Sequence, residues 1–161
     1  MRKLPLALTV SAGTLALDQI TKFLAVRFIS PAHPVDVLPF LTLVNVRNTG
    51  AAFGMLSSLG NTFFVAATLA AMALVAFLLI RGDEDAVGLS LILGGGLANL
   101  IDRLALGHVR DFIDVHAGSL HWPAFNVADS ALTVGIALLI LNALRSRPRP
   151  DRLLRDEKGS P

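Results

Sequence analysis

The sequence has no cysteine, which excludes disulfides, zinc–thiolate sites and a cysteine nucleophile. Charge is scarce: Asp, Glu, Lys and Arg make up 16% of 161 residues, against a hydrophobic share of 53%. A soluble domain of this size carries more charge and shorter apolar runs. The four histidines, His33, His108, His116 and His121, contain no H-E-x-x-H pair, and a lone loop histidine is normally solvated rather than a ligand. Gly94, Gly95 and Gly96 are not followed by Lys-Ser/Thr, so they are no phosphate loop. Ser130 beside Asp129 has no base in a triad pattern. Six of the 14 basic residues lie in the C-terminal stretch 145–161 (Arg145, Arg147, Arg149, Arg152, Arg155 and Lys158), without interleaved aromatics. That pattern points to a cytoplasmic anchor facing anionic membrane lipid, not to a nucleic-acid arm.

What the chain does have is apolar length. Residues 62–80 carry no charge and are long enough to cross the ~30 Å hydrocarbon core as a helix. Three further segments are candidate spans with polar interruptions: 4–28 with Asp18, Gln19, Lys22 and Arg27; 86–106 with Asn99, Asp102 and Arg103; and 126–144 with Asp129. A cleaved signal peptide is the competing reading of the first segment, but hydrophobicity resumes after Asp18 and no small-x-small site ends it. Four spans place both termini on one side. Arg2, Lys3, Arg81 and the basic tail share that side and only Arg47 and Arg110 occupy the other, so both ends are expected in the cytoplasm.

The outer loops are then 29–61 and 107–125. Leu41 to Arg47 is β-branched and apolar enough for a strand, and Gly50 and Gly54 punctuate the residues after it, so a small sheet on the outer face is expected. Trp122 suits an interfacial position. The glycine run 94–96 is expected to serve close helix packing, the usual use of small residues in lipid.

Ionisable side chains in a membrane are costly and normally mark function. With this topology Asp18, Lys22, Asn99, Asp102, Arg103, Asp111, Asn126 and Asp129 converge at one depth near the outer surface. Asp18 and Lys22 stand at i, i+4 and form a natural ion pair. Arg103 is placed to pin loop carbonyls or a carboxylate, with Asp102 as its neutralising partner. Asp111, Asp114 and Asp129 remain as chemical groups. Two adjacent carboxylates share a proton, which is the basis of aspartic peptide hydrolysis. Asp129 is one member, as the only acid of the last span; spacing leaves Asp111 and Asp114 open as the other. A proton-coupled transporter would spread its charges across the membrane depth, and a structural adaptor would leave the clustering unexplained.

Five stretches, in order, carry a resemblance: DQITK (18–22), RNTGAAFG (47–54), GGGLANLIDR (94–103), VRDFID (109–114) and FNVADS (125–130). Together they resemble the bacterial lipoprotein signal peptidases, or signal peptidase II. Ala98 departs from the glycine usual there, which touches packing rather than chemistry. The resemblance implies a single all-α integral membrane domain: four transmembrane helices, a small extracytoplasmic β-cradle and a short outer helix before the last span. It implies an aspartic endopeptidase of the bacterial inner membrane, active near the outer face. Its substrates would be diacylglyceryl prolipoproteins, cut on the amino side of the lipidated cysteine, and globomycin-type inhibitors would block it. Asp111 and Asp129 match the catalytic dyad; Asn48, Asn99, Arg103 and Asn126 match residues around substrate and dyad; Asp18 and Lys22 match the first-span pair. No cofactor is implied, and a monomer suffices.

Overall fold

The computed structural model describes residues 3–50, 59–81 and 85–145. Arg2, the 51–58 part of the RNTGAAFG stretch with Gly54, the acidic Asp83 and Glu84, and the basic tail from residue 146 lie outside the described residues.

The chain runs α1 (Lys3–Phe28), β1 (Val35–Leu38), β2 (Leu41–Asn48), α2 (Gly60–Arg81), α3 (Ala86–Leu106), β3 (Val109–Ala117), β4 (Leu120–His121) and α4 (Val127–Arg145). Among the described residues three helices are long and apolar enough to cross a membrane: α2, α3 and α4. Three rather than the expected four meet that standard. At 26 residues α1 is the longest helix, but its later half carries Asp18, Gln19, Lys22 and Arg27.

The central helix is α3. Half of its most apolar stretch is buried, against 6% for α2, and it packs on α1, α4 and α2. The glycine run explains how. Successive residues on a helix point about 100° apart, so three in a row face three directions. A Cβ on Gly94 would lie 2.6 Å from the Ser11 carbonyl oxygen of α1, and one on Gly95 would lie 2.6 Å from the Ala128 carbonyl oxygen of α4. One on Gly96 would meet only Met72 of α2, at 3.5 Å. Gly88 and Gly135 repeat the close approach of α3 and α4 one level down. Backbone contact of this kind replaces the hydrophobic drive that helices lack in lipid.

On α1 the buried residues Ala7, Ser11, Asp18, Lys22 and Ala25 recur at spacings of three, four and seven residues, all on one helix face, and the stripe continues through Ile29. The rest of its surface is largely apolar, with Leu4, Leu8, Phe23 and Phe28 exposed. Gly107 ends α3 in the left-handed region at φ 77°, donating its N–H to the Arg103 carbonyl.

The strands form one antiparallel sheet in the order β1-β2-β3-β4. The strand expected at Leu41 to Arg47 is β2. The expected short outer helix is not found among the described residues; 107–125 instead supplies β3 and β4. The reason is its alternation: Val109, Asp111 and Ile113 fall on one face and Arg110, Phe112 and Asp114 on the other. Between Leu43 and Val46, β2 bulges against β3, so Asp111 pairs with Val46 and Val109 with Asn48. The bulge increases local twist where the polar cluster begins. A cluster of Ala25, Ile29 and Phe112, joined by Leu43, Ile113 and Val127, seats the sheet on the ends of α1 and α4.

Candidate active site

The site begins with the start of α4. Asn126 is its N-cap: Asn126 Oδ1 accepts the Asp129 N–H at 2.9 Å, and Asp129 Oδ2 accepts the Asn126 N–H at 3.2 Å. This is a reciprocal capping box in which Asp fills the place usual for Glu or Gln. Asp18 Oδ1 satisfies the next free donor, the Ala128 N–H, at 2.8 Å. Just upstream, Phe125 exchanges backbone hydrogen bonds with Ile113 and accepts another from Phe112. This short pairing fixes the mouth of α4 beside β3 and therefore beside Asp111.

Asp111 is buried, with both oxygens held. Asn126 Nδ2 donates to Oδ1 at 2.6 Å and Asn48 Nδ2 donates to Oδ2 at 2.9 Å. Asn99 Nδ2 donates to Asp129 Oδ1 at 2.9 Å. None of these three amides is free to turn round. The Asn48 oxygen accepts the Gly50 N–H at 3.0 Å, the Asn126 oxygen accepts the Asp129 N–H, and the Asn99 oxygen accepts from Lys22 Nζ at 2.8 Å. Each amide thus presents its NH2 end to a carboxylate. Burial pushes the Asp111 carboxyl up to about 6; Asn48 and Asn126 pull it back down, and the charge of nearby Asp129 pushes it further up.

Beneath this pair lies an ion network centred on the fully buried Asp18, Lys22 and Asp102. Lys22 Nζ sits 2.7 Å from Asp18 Oδ2 and 3.2 Å from Asp102 Oδ2. Asp102 also accepts the Arg110 backbone N–H at 3.1 Å, its Nε at 3.2 Å, and Gln19 Nε2 at 3.2 Å. Arg110 Nη2 returns to Gln19 Oε1 at 2.9 Å. The partnership expected between Asp102 and Arg103 is therefore corrected. Consecutive helix residues point about 100° apart and cannot face one another. Arg103 instead turns toward α2, where Nη2 donates to the Gly50 carbonyl at 2.7 Å and the guanidinium covers the Phe64 ring at 4.4 Å. Asn61 Nδ2 closes the link by donating to the Arg103 carbonyl at 3.0 Å. Of the two partners expected for Arg103, loop carbonyls or a carboxylate, the hydrogen bond found is to the Gly50 carbonyl.

A cavity of about 600 Å³ opens at this place, lined at its polar end by Asn48, Asn99, Arg103 and Asp129. Its apolar end descends between α2 and α4, past Met72 and Gly96. Asp18, Lys22, Asn48, Asn99, Asp102, Arg103, Asp111, Asn126 and Asp129 are joined in this one hydrogen-bonded assembly, and Asp114 is not. Asp114, three positions after Asp111, projects from the opposite face of β3 and pairs with His121 at 3.0 Å. The stacked imidazoles of His116 and His121 stand with it, apart from the cavity. Among the described residues no cluster of His, Asp or Glu is arranged to hold a metal ion. The sequence did not single out Gln19, Asn61 or Phe64, nor Arg110 as a buried partner. The only signal for Gln19 and Arg110 was adjacency, since each stands next to a motif carboxylate.

The profile of the signal peptidase II family matches residues 10–145. The chain belongs to that family. Two relatives named lipoprotein signal peptidase are 49% identical over 131 residues (Thermodesulfovibrio yellowstonii; 81% of this chain and 89% of the relative) and 47% identical over 150 residues (Geobacter metallireducens; 89% and 93%). A solved structure described as a bacterial membrane enzyme, determined by the in meso method at 2.3 Å, superposes with a TM-score of 0.82 at 32% identity, covering 91% of this chain and 93% of that one. A second, at 1.9 Å, gives 0.78 at the same identity, covering 89% and 95%. The signal peptidase II fold is thus a membrane-enzyme fold of apolar helices capped by a small antiparallel sheet.

Proposed function

We propose that this chain is an intramembrane aspartic endopeptidase that removes signal peptides from diacylglyceryl-modified prolipoproteins, cutting on the amino side of the lipidated cysteine. Asp111 and Asp129 are its dyad. The observation that carries the reading is that Asn126 holds both carboxylates, one through its side chain and one through its backbone, with Asp129 lining the polar end of the cavity. The lipoprotein signal peptidase names of the relatives supply the substrate class.

In this reading the ionised member of the pair takes a proton from a water molecule, whose oxygen attacks the scissile carbonyl carbon. The protonated member gives its proton to the carbonyl oxygen. Collapse of the tetrahedral intermediate returns that proton to the pair as the amide nitrogen of the lipidated cysteine leaves with the other. Charge supports a single shared proton. The assembly contains four carboxylates, Asp18, Asp102, Asp111 and Asp129, and three cations, Lys22, Arg103 and Arg110. One proton on the pair makes the whole neutral, the favoured condition for groups out of water. Asn48, Asn99 and Asn126 hold the carboxylates, and Arg103 braces the wall over the substrate.

We take α1 as the fourth span. Its ions turn inward, with Asp18 and Lys22 fully buried, while the side chains it turns outward are largely apolar. The basic residues place both termini in the cytoplasm and the sheet with the dyad at the outer face of the inner membrane. All of the site comes from one chain, so a monomer is sufficient, and globomycin-type inhibitors are expected to block the same cavity. The direct test is cleavage of a diacylglyceryl prolipoprotein in detergent by Asp111→Asn and Asp129→Asn. Both are expected to lose turnover by about four orders of magnitude or more, the scale of removing a catalytic group. Near-normal turnover in either sinks the dyad.

A further inference from the structure

The three consecutive glycines of α3 do not share one task. Gly94 and Gly95 leave no room for a side chain, since an added Cβ would meet backbone oxygen at 2.6 Å on either side. Gly96 has no such constraint. Its added Cβ would make ordinary contact with Met72 Cγ at 3.5 Å and nothing closer, and Gly96 itself lines the cavity. Packing therefore does not explain a glycine at 96, and the shape of the cavity does. Gly96 stands one turn below Asn99 and two below Arg103, on the face that meets the dyad.

From that level the cavity is walled by Ala67, Ala71 and Met72 of α2, by Ile92 of α3 and by Leu132 of α4. α2 packs along α3, and α4 packs on α3 from its other flank, leaving a cleft floored by α3. The cleft is apolar, lies among membrane-length helices and is continuous with the polar end that holds Asp129. A chain attached next to the scissile bond would descend into it.

We propose that Gly96 sets the width of an acyl-chain cleft, in which one fatty chain of the substrate's own lipid lies between α2 and α4 while the adjoining peptide bond meets the dyad. This rests on the lipoprotein-peptidase reading. Burying the chain there fixes the distance from the lipid anchor to the bond that is cut, so Gly96 is a specificity residue and not a catalytic one.

The test uses the full chain in detergent with short-chain and long-chain diacylglyceryl versions of one lipobox peptide. Gly96→Leu fills the cleft from α3 and Ala71→Leu fills it from α2, where Ala71 is exposed and lines the cavity. Each should lower kcat/KM for the long-chain peptide about tenfold or more relative to the short-chain one, mainly through KM, the scale on which a methylene or two acts in a hydrophobic pocket. Gly96→Ala, whose Cβ fits, should change that ratio little. If Gly96→Leu fails to fold, Ala71→Leu carries the test. An unchanged long-to-short ratio in the folded Leu variants overturns the proposal. So does a loss independent of substrate chain length, which would mean that the cleft does not hold the substrate's fatty chain. Asp129→Asn should abolish cleavage of both peptides. Wild-type protein that cleaves neither would overturn the peptidase reading itself.

Discussion

Lys22 Nζ lies 2.8 Å from Asn99 Oδ1, and this contact decides which end of Asn99 faces Asp129. An ammonium only donates, so the amide oxygen must point to it and the NH2 to the carboxylate. The cation thereby orders a group that it does not itself touch. Replacing Lys22 with Met leaves Asp18 and Asp102 buried beside an apolar chain. We expect a stability loss of roughly 3–5 kcal/mol, as for a broken buried pair, read as a lowered midpoint of thermal unfolding in detergent. Lys22→Met combined with Asp18→Asn should recover part of that loss, and an equal or lower midpoint would argue against the pairing.

Arg103→Lys is the sharper probe of the cavity wall. Lysine keeps the charge but cannot both donate to the Gly50 carbonyl and lie flat on Phe64. The expected result is a folded enzyme whose KM for lipidated peptide rises about tenfold, near the 1.4 kcal/mol of a lost charged hydrogen bond. An unchanged KM would detach Arg103 from substrate binding.

Helix packing yields a prediction within a single tripeptide. Gly94→Val and Gly95→Val force carbon against backbone oxygen and should each destabilise by about 1–3 kcal/mol or more, while Gly96→Ala should be nearly neutral. Melting midpoints of the three variants check the order. Equal losses at all three positions would mean that α3 does not pack through distinct glycine faces.

A proton shared by Asp111 and Asp129, as proposed, has a pH signature. Burial lifts the Asp111 carboxyl to about 6, so the folded protein holds this proton more tightly than the unfolded chain, whose carboxylates titrate near 4. The contribution is therefore complete below pH ~4 and is lost as pH rises through about 6. Wild-type stability should fall across that window and Asp111→Asn should lack that part of the slope. Activity should show two limbs, the alkaline one at or above about 6 as the shared proton leaves. A profile with one limb would exclude a pair that shares a proton.

Much of the fold is legible from residue order. Length and hydropathy locate the helices to within a residue or two, because lipid leaves the backbone few alternatives. Inward ions at one depth mark the site without knowledge of any contact. Three things are hidden. β3 reads as loop because its charged members, Arg110, Asp111 and Asp114, mask the alternation, and its partner β2 lies about 60 residues away in sequence, a pairing that no local pattern carries. Asp102 and Arg103 look like mutual partners because they are adjacent in sequence, although a helix turns them apart. The choice between Asp111 and Asp114 rests on resemblance alone in the sequence, whereas strand geometry puts them on opposite faces.

Asn126 and Asp129 cap each other to begin α4, while Asp129 also lines the cavity and Asn126 also holds Asp111. Selection acting on folding and selection acting on chemistry therefore converge on the same pair. An inhibitor anchored to that pair would bind groups whose exchange unseats the helix as well as the reaction, which closes the cheapest route to resistance. Escape would have to come from the walls instead, at positions such as Ala71, Met72 or Gly96, where a change of shape leaves the protein standing but alters what it accepts.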